Sequence, residues 1–205
     1  MNQELRIPAY VLRDALTGAL MGVSTDRTLP IFQHIKILTN GDIVEFISTD
    51  RFILVTGAIT PLDAYNTREN WADIDGLIHA DTAKRIIAAL KTVPKSNKNL
   101  LVTLTLSGNT VTLAGLQDNV TVSGAFVDSN IFPKHEFLFP DASLSGIDTP
   151  IGLNPNYLAR LAKIPSDNET PMILTLHGKN KPVLAELPHD AIKWRVLIMP
   201  VRIAN

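Results

Sequence analysis

One repeating pattern constrains the fold of this chain more than any other feature of its sequence. A short strand, a helix opened by proline or an N-cap residue, and a run of strands recur about every 70 residues, which is the spacing of a structural repeat. The chain holds three such copies, and each predicts the order β-α-β-β-β. We therefore expect an α+β fold built from three related units.

The first two copies fill the N-terminal part of the chain. The first predicts a helix over residues 9–21 and strands at QELRIP, FQHIKILT, IVEFIST and FILVTGAI. The second predicts a helix that begins at an Asp81-Thr82 cap and runs through Lys91, with strands at DGLIHA, LLVTLTLSG, TVTLAGLQ and VTVSGAFVD. The Gly108-Asn109 pair between two alternating runs indicates a hairpin in this copy.

The third copy closes the chain. It predicts a strand at TPIGLN, a helix NYLARLAKI with Pro155 as its first residue, and strands at MILTLHG, PVLAELP and WRVLIMPVRI. Polar links over 61–70 and 132–145 separate the copies. The second link is rich in proline and aspartate and indicates a domain boundary.

Basic residues lie on the predicted outer face of the second helix. Lys84 and Lys91 share this face, and Lys95 extends their stripe. The apolar residues of the same helix cluster on the opposite face, which is expected to meet the sheet: Ala83, Ile86, Ile87 and Leu90.

The other two helices carry weaker versions of the same pattern. The spacing of the third helix places Leu158 and Leu161 inward, and it places outward Asn156, Arg160 and Lys163. The first helix offers only Arg13 and Thr17, with Asp14 beside them. Taken alone, these residues favour an ordinary solvated helix face over a binding surface.

Composition and charge narrow the possible classes of protein. The chain has no cysteine, which excludes disulfide frameworks, thiolate zinc sites and cysteine nucleophiles and favours the reducing cytoplasm. Its N-terminus has neither a basic n-region nor a long apolar h-region, and no window approaches the roughly 18 apolar residues of a membrane span. The formal net charge is -1, so a role in binding nucleic acid needs a local basic surface.

The residue pattern also argues against an enzyme. Five histidines are scattered without the H-x-x-x-H spacing of metal ligands, and neither G-x-S-x-G nor G-x-x-x-x-G-K-[ST] occurs. These histidines are His34, His79, His135, His177 and His189. The acid pair Asp73 and Asp75 precedes a strand and is interpreted as solvated turn residues. We expect no catalytic residue, no cofactor and no metal.

Four short motifs, in order, carry a resemblance to a known family. They are Thr28-Leu29-Pro30-Ile31, Ser48-Thr49-Asp50, the segment FVDSNIFPKHEFLFP over 126–140, and Met199-Pro200-Val201-Arg202-Ile203. Together they resemble the bacterial DNA sliding clamp, the processivity subunit (beta subunit) of DNA polymerase III. The small size of the chain implies a truncated, phage-like member of that family.

The resemblance covers nearly the whole chain, but discontinuously. Residues 1–137 resemble one complete clamp domain, most like the middle one. Residues 141–205 resemble only the second half of the last clamp domain, with its terminal Met-Pro-x-Arg strand. The resemblance therefore implies the DNA-clamp fold in three β-α-β-β-β units, with one complete domain and one half domain.

In clamps, a hydrophobic pocket between the middle and last domains accepts short apolar peptides from polymerases and other partners. Carried over by position, Phe32 lies on the strand after Leu29-Pro30, and the other pocket residues lie on a turn, the interdomain link and the final strand. These other residues are Thr49, Leu54, Pro133, Phe137, Leu197 and Met199. The chain has Arg51-Phe52-Ile53-Leu54 where the family usually has Gly-His-Arg-Leu, which implies a bulkier or differently tuned pocket.

The resemblance also implies contact between the helices and double-stranded DNA, without sequence preference. The implied DNA-binding residues are Arg13, Lys84, Lys91, Arg160 and Lys163. The implied function is a processivity or tethering factor that surrounds duplex DNA and docks polymerase or repair proteins, with a clamp loader as a possible partner. A non-encircling adaptor or decoy for clamp-binding peptides stays open as the alternative. The half domain predicts a homo-oligomer, either a dimer or a ring of four chains.

Overall fold

The structure is a computed structural model of the chain. It describes residues 3–40, 42–60, 74–94, 97–107, 109–116, 122–128, 131–139, 151–167, 169–178 and 180–203. The first predicted link over 61–70 lies outside the described residues, as do Asp73, Lys95, Gly108 and the second link from residue 140 onward.

Helices and strands follow one another in nearly the predicted order. The first copy forms β1 (Gln3–Pro8), α1 (Ala9–Ala19), β2 (His34–Asn40), β3 (Ile43–Thr49) and β4 (Ile53–Ile59). The second forms β5 (Asp75–His79), α2 (Ala80–Leu90), β6 (Leu101–Ser107), β7 (Thr110–Ala114) and β8 (Val122–Asp128). The third forms α3 (Pro155–Leu161), β9 (Ile173–Thr175), β10 (Val183–Leu187) and β11 (Lys193–Ile198).

The described strands form one antiparallel row in the order β1-β6-β7-β8-β5-β2-β3-β4-β11-β10-β9. The row divides into two sheets at β8, whose first half pairs with β7 and whose second half pairs with β5. The opening strand of each of the first two copies pairs with a strand of the other copy: β1 pairs with β6, and β5 pairs with β2. The third copy joins the row where β11 pairs with β4.

The main core lies on the face of the row that the helices cover. Buried apolar residues of α1, α2 and α3 belong to one cluster with the inward side chains of both sheets. In β6, for example, Val102, Leu104 and Leu106 alternate with more exposed residues and are buried. The predicted inner face of α2 is buried as well, which confirms the assignment of its two faces.

Trp194 of β11 fixes the third copy against the first. Its side chain is fully buried in the main core. A Cβ atom at Gly18 of α1 or at Gly57 of β4 would overlap its indole ring. Glycine at both positions therefore makes room for the largest side chain of the core.

Three local predictions about helices and strands are wrong. The segment TPIGLN does not form a strand in its described residues, where only an isolated bridge joins Gly152 to Val201. The N-cap of α2 is His79, whose ring accepts a hydrogen bond from the Asp81 amide at 3.2 Å, so the cap lies two residues before Asp81. Leu158 of α3 is 39% exposed instead of buried, whereas Leu161 is buried as predicted.

Phe32 is also misplaced by the sequence prediction. It lies in a short 3-10 helix (Pro30–Gln33) and not on a strand, and β2 begins two residues later. Pro30 is the first residue of this 3-10 turn, where its fixed φ angle suits a helical conformation. The turn directs the neighbouring Ile31, and not Phe32, toward the apolar cluster on the outer face of the sheet.

Candidate binding interfaces

The pairing of β4 with β11, which we call the β4–β11 seam, brings several predicted pocket residues together. Leu54 of β4 lies opposite Leu197 of β11 and also opposite Thr49 of β3. Leu54 and Leu197 are buried on the outer face of the sheet in a small cluster with Phe132. The seam therefore places side chains from the first copy, the third copy and the link that begins at residue 132 in one apolar cluster.

The turn between β3 and β4 is held rigidly beside the seam. The Asp50 carboxylate accepts hydrogen bonds from the amides of Phe52 and Ile53 at 3.0 and 2.9 Å. The Thr49 hydroxyl donates to the Ile53 carbonyl at 2.8 Å and accepts from the Arg51 amide at 3.0 Å. Arg51 has a φ angle of 82°, a conformation that glycine adopts without strain, and it stands where the clamp motif has glycine.

The same turn contacts helix α3 of the third copy. Arg160 donates to the second Asp50 carboxylate oxygen at 2.7 Å, and its guanidinium lies 5.1 Å from the ring centroid of Tyr157. The rings of Phe52 and Tyr157 stack at 6.4 Å between centroids. Arg160 was predicted to face outward toward DNA, but it is partly buried and its charge is balanced by Asp50.

Met199 lies one residue beyond β11 instead of within the final strand. Its amide donates to the Phe52 carbonyl at 2.8 Å, which fixes the C-terminal segment beside the β3–β4 turn. Its side chain is 40% exposed and lines a groove of about 650 Å³. The other lining residues of this groove are Gly152, Asn180, Pro200, Val201, Arg202 and Ile203.

The interdomain link crosses the outer face of the sheet next to the seam. Phe132 is buried there, whereas Phe137 is 74% exposed on a 3-10 turn (Glu136–Leu138). Phe139 covers the guanidinium of Arg195 at 3.9 Å from its ring centroid, a cation–π contact. Phe137 and Leu138 therefore leave apolar surface exposed on the link.

A smaller groove of about 340 Å³, lined by more charged residues, lies between the link and the far end of the seam. His135 is buried and lines this groove. Burial lowers the pKa of its ring below the ordinary value, and the nearby Glu136 and Glu45 carboxylates offset only part of this effect. Lys193 and Arg195 of β11 line the same groove.

Three of the five predicted DNA-binding residues form ion pairs. Arg13 pairs with Asp14 at 2.9 Å, Lys84 pairs with Asp81 at 2.9 Å, and Arg160 pairs with Asp50. Lys91 and Lys163 are exposed and form no ion pair with any residue in the described parts of the chain. The described helices therefore present fewer free positive charges than the sequence predicted.

Asp14, the partner of Arg13 on α1, also contacts the third copy. Its carboxylate lies 3.5 Å from the His189 ring. Burial raises the pKa of Asp14, but hydrogen bonds from His189 and Arg13 outweigh burial and hold that pKa below its ordinary value.

Solved structures with the same arrangement of strands and helices are sliding clamps. The DNA polymerase III beta subunit of Thermotoga maritima superposes with a TM-score of 0.79 at 12% identity, covering 98% of this chain and 66% of that protein. The sliding clamp of Bacillus subtilis gives 0.75 at 16% identity, covering 98% and 64%. The Bartonella birtlesii clamp bound to griselimycin gives 0.73 at 15% identity, covering 98% and 66%.

The chain has the sliding-clamp fold. It spans about two thirds of the length of these clamps, and nearly all of it lies within their fold. The sequence itself matches no protein-family model and no curated protein. At identities of 12–16% the superposition identifies the fold.

Within this clamp fold, strand pairing and one backbone hydrogen bond bring together four of the seven predicted pocket residues: Thr49, Leu54, Leu197 and Met199. Thr49, Leu54 and Leu197 lie side by side on three strands. Met199 is tied to their turn, and Pro133 follows the buried Phe132 in the chain. Whether these residues form a peptide pocket stays a prediction, as does the division into domains over 1–137 and 141–205.

Several residues that shape this part of the clamp fold were not predicted. Phe52 and Tyr157 stack across the two copies, and Ile31 joins the apolar cluster of the seam. Phe52 is 51% exposed at the tip of the turn, and a single exposed apolar residue gives no signal of its contact in the sequence. Its partner Tyr157 lies more than 100 residues away, and no local pattern joins the two.

No helix in the described parts of the chain is both long and apolar enough to cross a membrane.

Proposed function

We propose that the chain is a sliding-clamp-like processivity or tethering factor, which surrounds duplex DNA and docks polymerase or repair proteins through an apolar peptide site. The β4–β11 seam is the observation that best supports this proposal. It joins the first and third copies in one continuous sheet and pairs Leu54 with both Leu197 and Thr49. We expect the protein to act in the cytoplasm, where such partners meet DNA.

The peptide site combines a rigid frame with exposed apolar side chains. Thr49 and Asp50 fix the backbone of the β3–β4 turn, so this wall of the site is ordered before a ligand binds. Met199, Phe137 and Leu138 are exposed around it and offer apolar surface to a short peptide. Methionine suits this role because its thioether adapts to ligands of different shape.

The proposed DNA contacts come from the helices, which cover one face of the strand row. Lys91 and Lys163 are the best candidates for phosphate contact because their charges are free of described ion pairs. Lys84 and Arg13 would first have to exchange a carboxylate partner for phosphate. A homo-oligomer would complete the wall around the duplex, and a clamp loader is a possible further partner.

A non-encircling adaptor that binds clamp-binding peptides is the second candidate. Ion pairs on Arg13, Lys84 and Arg160 favour it, because they leave little free positive charge on the helices. The net charge of -1 gives no general attraction to DNA either.

Retention on circular DNA separates these two functions. Protein loaded on nicked circular duplex should stay bound through gel filtration at high salt and should be released when the circle is cut once. Salt-resistant retention that depends on the closed circle supports the clamp. Peptide binding without such retention would favour the adaptor, and the absence of both would refute the two proposals together.

A further inference from the structure

The smaller groove at the far end of the seam is distinct from the groove at Met199, because the two share no lining residue. We call the smaller one the charged groove, after the charged residues that line it: Glu45, Glu136, Lys193 and Arg195. The two grooves lie at opposite ends of β11, since Lys193 is the first residue of this strand and Met199 follows its last residue. The apolar cluster of the seam lies between them.

The floor of the charged groove continues the seam along β4. The outward residues of this strand alternate from Leu54 at the seam to Thr56 and Ala58 in the groove. Ala58 lies opposite Glu45 of β3 on one side and opposite Lys193 of β11 on the other. The small side chain of Ala58 therefore separates an acidic wall from a basic wall, and the Cα atoms of the two walls are about 10 Å apart.

The charges on the two walls are available to a ligand. Glu45, Lys193 and Arg195 form no ion pair with any residue in the described parts of the chain. Phe139 covers the guanidinium of Arg195, which holds this group in place without cancelling its charge. The Thr56 hydroxyl donates to the Arg195 carbonyl at 3.1 Å and fixes the backbone beneath the basic wall.

The link adds to the acidic wall. Glu136 lines the groove, and its carboxylate, like that of Glu45, acts to raise the pKa of the buried His135. Burial has the larger effect and keeps the pKa of His135 below its ordinary value, so this ring adds no positive charge at neutral pH. The groove therefore keeps one acidic and one basic wall.

We propose that the charged groove binds the charged flank of a peptide docked at the seam, with an acidic side chain on Lys193 and Arg195 and a basic side chain on Glu45. Walls of opposite charge match a segment that carries both charges, and the floor of the groove continues the seam. In an extended peptide, successive side chains point to opposite sides, so the two charges belong to adjacent residues. The inference rests on the proposed peptide site and adds a charge preference to it.

The two ends of a docked peptide are not equivalent in this arrangement. The end over Met199 lies about 20 Å from Lys193, the length of six extended residues, and only the other end reaches the charged groove. A charged pair at one end of the peptide should therefore strengthen binding, and the same pair at the other end should not.

Five peptides that share one apolar core test this preference. One carries two serines at each end, and the other four replace the serines at either end by Asp-Lys or by Lys-Asp. Fluorescence anisotropy should show that one of the four binds about fivefold tighter than the serine peptide. Reversing the order of its charged pair should remove the gain, and raising the salt concentration should reduce it.

Charge reversal on either wall tests the assigned residues. Lys193→Glu and Glu45→Lys should each remove the gain and leave the affinity for the serine peptide unchanged, which also shows that the variants are folded. Lys193→Arg keeps the charge and should keep the gain. Lys98→Glu is the matched control, because Lys98 is an exposed lysine before β6 that lines neither groove.

Two results would overturn this inference alone and leave the peptide site in place. One is equal affinity for the serine peptide and all four charged peptides, and the other is a gain that Lys193→Glu leaves intact. Failure of every peptide to bind would instead refute the peptide site itself, and the charge preference with it.

Discussion

Individual side chains around the β3–β4 turn link the predicted binding site to the rest of the protein. Asp50 uses one carboxylate oxygen to order its own turn and the other to bind Arg160 of the third copy. The backbone of Met199 is bound to the same turn through the Phe52 carbonyl. A substitution at Asp50 therefore changes the backbone of the turn, whereas a substitution at Met199 changes the exposed side chain beside it. The two effects can be measured separately.

Met199→Asp should weaken the binding of a short apolar clamp-binding peptide by about 2 kcal/mol or more, because the bound peptide would bury an unpaired carboxylate. Fluorescence anisotropy with a labelled peptide measures this change. Val127→Asp has a similar original exposure and should bind the peptide normally. Unchanged affinity of Met199→Asp would place the peptide elsewhere.

The buried His135 predicts a loss of stability in mild acid. Burial lowers the pKa of His135 in the folded protein below the ordinary value of 6.5, although Glu136 and Glu45 oppose this and Lys36 adds to it. The unfolded chain therefore binds the proton more tightly, so the free energy of unfolding should fall as the pH drops from about 7.5 to about 5.5.

Urea titrations at several pH values measure the effect. His135→Gln should reduce the slope of the free energy of unfolding against pH. Part of the slope should remain, because burial also lowers the pKa of His34. An unchanged slope in His135→Gln would contradict the prediction.

Among the helices and strands, short helix α3 has a structural role that its sequence did not reveal. Its Pro155 start was visible as a local signal, whereas Asn154 was predicted to end a strand and instead caps the helix, its side chain accepting from the Asn156 amide at 2.9 Å. The contact of Arg160 and Tyr157 with the β3–β4 turn depends instead on the pairing of β11 with β4.

A double-mutant cycle between Asp50→Asn and Arg160→Met should give a coupling energy of about 1.5 kcal/mol in chemical unfolding, because this ion pair is short and partly buried. The cycle between Asp81→Asn and Lys84→Met is the control, since that pair is exposed on α2 and should show no measurable coupling. Equal coupling in the two cycles would show that burial does not strengthen the Asp50–Arg160 pair.

Charge reversal on the outer faces of α2 and α3 tests DNA contact. Lys84→Glu, Lys91→Glu and Lys163→Glu together should reduce the slope of log affinity against log salt by about 3, since each phosphate contact contributes about 0.9. Peptide binding should be unchanged, because Lys84 lies on α2 and Lys91 and Lys163 follow the ends of α2 and α3, whereas the site lies on the opposite face of the sheet. Unaltered DNA affinity would indicate that the helix faces are only solvated.

The strand row makes the described parts of all three copies one structure. Trp194 of the third copy is buried between Gly18 and Gly57 of the first, and the β4–β11 seam continues the sheet without a break. The row has two ends, β1 and β9. A ring of four chains would require pairing at both ends, whereas a dimer requires pairing at one end.

Because of this shared core, the regions 1–137 and 141–205 should unfold together. In a Trp71→Phe variant, Trp194 is the only tryptophan and reports on the seam. Its fluorescence and far-ultraviolet circular dichroism should follow one coincident urea transition. Two separate transitions would show that the predicted half domain is an independent folding unit.

The sequence by itself determined the order of the helices and strands and the interior face of α2. These features depend on local periodicity, on turn residues and on caps, which act between residues close in the chain. It also led to the fold through four short motifs, although local signals misplaced Phe32, Leu158 and the cap of α2.

Only the tertiary structure decided which residues meet. The β4–β11 pairing places Leu54 opposite Leu197, which lies more than 140 positions away, and it brings Asp50 to Arg160 and Phe52 to Tyr157. No local pattern encodes such contacts, because they follow from how the strands order themselves in the sheet. The same order leaves β9 at one end of the described strand row, which is a property of the assembled sheet and not of the local sequence.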